Sequence, residues 1–72
     1  MVKCHLSRLM GEKRLSIADI SRETGINRGV ITRLYHETAI RVDLDVVEKI
    51  CVYLECEIED LFSLEVGAGS RD

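Results

Sequence analysis

The chain has 72 residues, 46% of them hydrophobic and 32% charged, with no proline, little aromatic content and a formal net charge of −3. That length supports one small core and excludes a catalytic cleft between two lobes, and the composition is that of a folded, helix-prone domain rather than a disordered one. No run of about 18 apolar residues could span a membrane and the first ten residues lack a signal-peptide stretch, so a cytoplasmic protein is expected. Three cysteines without framework spacing fit a reducing compartment.

The net charge hides an asymmetry. Residues 1–42 carry eight of the ten Lys and Arg against four acids, a net +4, whereas residues 43–72 carry two against nine, a net −7. Such a chain can offer a basic face to phosphates while its other end repels them. The plainer alternative is that the acidic helices only keep a small domain soluble.

In chain order, the pattern predicts an all-α domain of five helices. The first spans about 2–13, with Val2, Leu6, Leu9 and Met10 on one stripe and Gly11 as a mild weak point. Ser16 is placed to N-cap the second helix, with Asp19 three residues on adding an acid at its positive end. Ile17, Ile20 and Thr24 form its inward face, and Ser21 is small enough for close helix approach. Gly25 then suits the left-handed position that ends a helix, and Ile26 tucks inward as the turn closes. Asn27 caps a third helix with Val30, Ile31 and Leu34 as its apolar stripe, and Arg28, Thr32, Arg33 and His36 on the other side. After a connecting loop, Asp43 caps a fourth helix over about 44–54, which buries Val47, Ile50, Cys51 and Leu54. A short fifth helix over about 58–63 offers Leu61 and Phe62 to the core. Residues 1–66 are thus expected to form the domain and 67–72 a flexible tail.

Two segments, LSIADISRETGINRGVITRLY and DLDVVEKICVYLECEIEDLF, resemble the Cro and lambda-repressor type helix-turn-helix family of small phage and bacterial transcriptional regulators. With the first helix, the resemblance covers roughly residues 2–64. It implies a compact five-helix bundle in which helices two and three form the helix-turn-helix and helix three reads DNA, commonly as a two-fold dimer on a pseudo-palindromic operator. The chain departs from the family pattern at Ile17, where Gln is frequent, at Ser21 in place of Ala, at Gly29 in place of a DNA-facing side chain, and at Tyr35 in place of an acid.

Within that frame, side chains near the start of helix three reach base edges. Arg28 comes first, with Thr32 and Arg33 one turn later, and Asn27 divided between capping and contact. Arginine can pair with guanine O6 and N7 in a bidentate fork, and threonine can meet a thymine methyl. Ser16, Arg14, Arg41 and Lys3, at helix starts and in loops, are the phosphate candidates. The competing interpretation makes each arginine a solvated surface charge paired with Glu23 or Glu37.

Other constellations point elsewhere only weakly. Cys4, His5, Cys51 and Cys56 lack the paired short spacing of a structural zinc site, so buried thiols are expected. His5 and His36 have no activated nucleophile beside them, so no enzyme and no cofactor are expected. Leu64, Val66, Val52 and Tyr53 could be core or a homodimer face. The expected function is sequence-specific binding of double-stranded DNA by a transcriptional regulator, a repressor that occupies its site. The alternative is a protein-interaction module of the same fold, antitoxin-like or an adaptor, using its acidic C-terminal helices.

Overall fold

Leu6, Ile20, Ile31, Ile50, Leu54 and Leu61 are sealed almost completely from solvent, and together they come from all five helices among the described residues. In the computed structural model, which describes residues 1–65, these helices are α1 (Leu6–Lys13), α2 (Ile17–Thr24), α3 (Arg28–Tyr35), α4 (Leu44–Leu54) and α5 (Ile58–Leu61). Burying one such aliphatic side chain contributes roughly 1.5–3 kcal/mol. α2 packs on both α3 and α4, α1 on α3, and α4 on α5. The expected tail at 67–72, and Val66, lie outside the described residues.

The α2–α3 connection is built as its residues suggest. Ser16 and Asp19 form a reciprocal capping box: Ser16 Oγ accepts from the Asp19 N–H at 3.1 Å, and Asp19 Oδ2 accepts from the Ser16 N–H at 2.9 Å. Gly25 takes the left-handed conformation (φ 78°), and its N–H donates to Ser21 O at 2.9 Å. Two hydroxyls then secure the turn. Thr24 Oγ1 donates to Ile20 O at 2.6 Å and accepts from the Ile26 N–H at 3.2 Å, while Ser21 Oγ donates to Ile26 O at 2.7 Å. Ile26 therefore has both backbone polar groups satisfied by side chains while its own side chain is buried. Asn27 caps α3, its Oδ1 accepting from the Gly29 N–H at 2.7 Å.

Three other helices close without glycine. Arg14, Glu37 and Glu55 all adopt left-handed backbone, with φ of 56°, 59° and 55°. Each sits in a paired 6→1 and 5→2 arrangement: Leu15 N–H to Met10 O and Arg14 N–H to Gly11 O after α1, Thr38 to Arg33 and Glu37 to Leu34 after α3, Cys56 to Cys51 and Glu55 to Val52 after α4. This is the Schellman motif, in which the residue after the left-handed position bonds back to the carbonyl four residues before that position and so closes the helix end.

The all-α expectation needs correction at the chain ends. Residues 2–4 do not begin α1. They form β1 (Val2–Cys4), antiparallel to β2 (Phe62–Leu64), with Val2 opposite Leu64, Lys3 opposite Ser63 and Cys4 opposite Phe62. The ladder continues on both sides, with Glu65 N–H donating to Met1 O at 2.8 Å and His5 N–H to Leu61 O at 2.7 Å. His5 Nε2 and Ser63 Oγ add a side-chain bond at 2.7 Å. A helix begun at Val2 would forfeit these pairings, so Val2 is 63% exposed instead of lying on the inner stripe of α1. α5 correspondingly stops at Leu61, and Phe62, expected inside it, turns extended (φ −126°) to enter β2.

Candidate nucleic-acid interface

α3 has one face committed to the core and one left to solvent. Ile31 and Leu34 are buried and Val30 packs against them, which turns Arg28 and Arg33 outward. Arg28 is the first residue of the helix, and Thr32, one turn on, is half-buried. Arg33 is five residues from Arg28, which alone would carry it off that face. Its side chain instead runs back toward the helix start, as long helical side chains do. A Cβ built on Gly29 would lie 3.6 Å from Arg33 Nη1 and 3.0 Å from Asn27 Oδ1. The Arg33 guanidinium therefore lies in ordinary contact range over Gly29, and the closer neighbour of a side chain there would be the Asn27 cap oxygen.

The ion pairs leave these arginines available. Among the described residues, Arg22 binds Asp19 at 2.9 Å and Glu23 at 3.5 Å, Lys49 binds Asp45 at 3.2 Å, and Arg8 approaches Glu12 at 3.9 Å. Neither Arg28 nor Arg33 has an acid of the described residues within that range. The two acids expected to neutralise them are occupied elsewhere: Glu23 is taken by Arg22, and Glu37 Oε1 accepts from the Cys4 N–H at 3.2 Å.

The phosphate candidates divide into two groups. Arg14 and Ser16 bracket Leu15 in the link between α1 and α2, and both are exposed. Ser16 keeps its hydroxyl proton free, because in the capping box the oxygen only accepts. Asp19 shares this helix end; the Ser16 N–H, then the Arg22 guanidinium, hold its carboxyl below the usual range, so it remains an anion beside Ser16. Lys3 and Arg41 lie elsewhere. Lys3 is in β1, and its neighbour Cys4 is tied through Glu37 to the far end of α3, roughly 12 Å from Arg28 along an eight-residue helix. Arg41 lines a groove beside Leu34 and Val42.

Cys4 and Cys51 are buried and Cys56 is half-buried. Burial, reinforced by the adjacent Cys51 thiol, pushes the Cys56 thiol up to about 11. No three His, Cys, Asp or Glu side chains converge as metal ligands among the described residues. Of the residues considered for a dimer face, Val52 and Leu64 are exposed, while Tyr53 packs against the core. The sequence reading missed Ile40, Leu44 and Ile58, all prominently exposed. Leu44 opens a helix and Ile58 opens another, and no helical stripe predicts which way an end residue faces.

No helix among the described residues is long and apolar enough to cross a membrane. No curated protein matches the chain. A family model for the Cro/C1-type HTH DNA-binding domain matches residues 5–66, a span that takes in all five helices and β2 and leaves out only β1 of the ordered elements. The chain accordingly belongs to the Cro/C1-type HTH DNA-binding domain family, a family of DNA-binding domains and not of enzymes.

Proposed function

We propose that α2 and α3 are the helix-turn-helix and that α3 enters the major groove, making the protein a sequence-specific transcriptional repressor that acts as a two-fold dimer by occupying its operator. One observation carries this reading: Arg28 and Arg33 share the solvent face of a helix whose other face is held in the core, and neither has an acidic partner among the described residues. Arg28 and Arg33 are assigned to guanine edges, Thr32 to a base methyl or acceptor, and Asn27 to a contact through the amide nitrogen its cap leaves unused. Ser16 and Arg14 are assigned to phosphates, which fix register without reading sequence. Lys3 and Arg41 are grouped with the far end of α3 and receive no base contact.

The test is selection of bound duplexes from a randomised pool at near-physiological salt. A two-fold symmetric motif with half-sites about one helical turn apart is expected. The double variant Arg28→Ala and Arg33→Ala should lose sequence discrimination with its circular dichroism unchanged. Retained discrimination in that variant would remove α3 as the reader. Failure of the folded parent to enrich any motif would transfer the assignment to a protein-interaction module.

A further inference from the structure

The end of α4 brings two thiols together. Cys51 lies on the buried stripe of α4, and Cys56 stands just past the left-handed Glu55, in the link to α5. Their backbones are already joined, the Cys56 N–H donating to Cys51 O at 3.0 Å. That nitrogen is about 1.5 Å from its Cα and that oxygen about 2.4 Å from its own, so the two Cα atoms lie within about 7 Å, and the bends at both atoms shorten the span. A disulfide needs about 4.4–6.8 Å between Cα atoms. The side chains converge as well, because the residues at these two places of a Schellman helix end face each other, and the Cys56 thiol interacts directly with that of Cys51. The third cysteine, Cys4, is held in β1 opposite Phe62.

We infer that Cys51 and Cys56 are a reversible dithiol–disulfide site, closed by a small-molecule disulfide and locking the end of α4 when oxidised. Cys56 is half-buried and Cys51 buried, so Cys56 is the point of entry. Its thiolate attacks one sulfur of a reagent such as oxidised glutathione and expels one glutathione thiolate; the Cys51 thiolate then attacks the Cys56 sulfur and expels the second. The protein dithiol loses two electrons, the glutathione disulfide gains them, and the two protein protons end on the two glutathione thiols. Two neutral thiols become a neutral disulfide, so closing places no charge in the core. The Cys56 thiol, raised to about 11, makes the exchange slow at neutral pH without opposing its end point. The bond spans Glu55, whose strained backbone the helix end already holds, and fixes the chain just before Glu57, where the capping box of α5 begins. Neither cysteine lies in α2 or α3, so the residues assigned to DNA keep their places and the two assignments can fail separately.

The full chain is equilibrated in mildly alkaline buffers of reduced and oxidised glutathione, starting from both the reduced and the oxidised protein, then acid-quenched and weighed intact. The expected product has lost two hydrogens and carries no glutathione, and peptide mapping links Cys51 to Cys56. Cys4→Ala should leave closing in place. Cys51→Ala should stop at a glutathione adduct on Cys56, with circular dichroism reporting whether that variant is folded. Because residues five apart can also close in an unfolded chain, the same equilibrium is measured in urea. The native closing constant should exceed the unfolded one by about tenfold or more, and by linkage the oxidised protein should melt higher than the reduced one. Lasting glutathione adducts or intermolecular disulfides on the parent, a link made through Cys4, or a native constant no greater than the unfolded one would each overturn the assignment, whatever becomes of the variants.

Discussion

The left-handed residues that close α1, α3 and α4 set much of the local energetics at the residue scale. For an L-residue that conformation costs about 1–2 kcal/mol, and Arg14, Glu37 and Glu55 bear it because the alternative leaves terminal carbonyls without donors. Glu55 makes no side-chain hydrogen bond or ion pair among the described residues, so replacing it sacrifices nothing visible. Glu55→Gly is expected to stabilise the domain by about 0.5–1 kcal/mol once glycine's larger unfolded-state entropy is subtracted. For a domain this size that is a rise of several degrees in Tm, at about 4–8 °C per kcal/mol. The contact that accompanies such a helix end is here a pair of thiols, Cys51 and Cys56, where α1 uses Met10 and Leu15. With the folded Cys56 thiol raised from 9.0 to about 11, the fold favours the neutral form, so its contribution is intact below about pH 9 and declines as pH climbs towards 11. At neutral pH, alkylation of Cys56 by iodoacetamide should run roughly tenfold slower than that of a free cysteine, since only the thiolate reacts and its scarcity is partly offset by the greater nucleophilicity of a higher-pKa thiolate. A rate equal to the free thiol's would contradict the burial.

Helix ends also show, element by element, which parts of the fold were legible. α2 and α3 were readable because each boundary is written in local chemistry: Ser16 with Asp19, Gly25, and Asn27. The capping box makes a matched pair of predictions. Ser16→Ala removes the acceptor for the Asp19 N–H and should cost about 1 kcal/mol. Asp19→Asn should destabilise at neutral pH, with the difference vanishing in acid. The folded state depresses this carboxyl, so its stabilisation is present above the unfolded value and is lost as pH falls through the folded one. Thermal melts of parent and variant down the acid range should therefore converge; parallel curves would mean the carboxylate plays no part in the cap. β1 and β2 were not legible, because their signal is not local. Val2-Lys3-Cys4 is too short to declare a period, and its partner Phe62-Ser63-Leu64 is some sixty residues away. The ends of α1 at Lys13 and of α4 at Leu54 fall where the apolar stripes run out, as expected, although the left-handed residues that follow, Arg14 and Glu55, carry no glycine signature. At the candidate interface, residue types were legible but placement was not. Gly29 reads in sequence as an empty groove position, and only the structure shows Arg33 lying across it.

Across the whole molecule, the charge asymmetry and the fold act together. The net +4 half contains α1 to α3, and the net −7 half contains α4 and α5. In the proposed complex the net +4 half meets the phosphates and the acidic α4–α5 half is turned away from them. This separates the roles of the cations by experiment, provided the proposed interface holds. A phosphate contact contributes counterion release, about 0.9 in the slope of log K against log salt for each phosphate neutralised. Arg14→Ala should thus weaken binding to every sequence alike and lower the slope by about 0.9 per subunit, doubled in a two-fold dimer. Arg28→Ala should instead cost about 1–3 kcal/mol at one base pair of each half-site and little on unrelated DNA. Binding isotherms at several salt concentrations, on the selected site and on a scrambled duplex, distinguish the two. If Arg14→Ala changed discrimination and Arg28→Ala changed only the slope, the domain would lie on DNA with the α1–α2 link toward the bases, and α3 would be the element that grips the backbone.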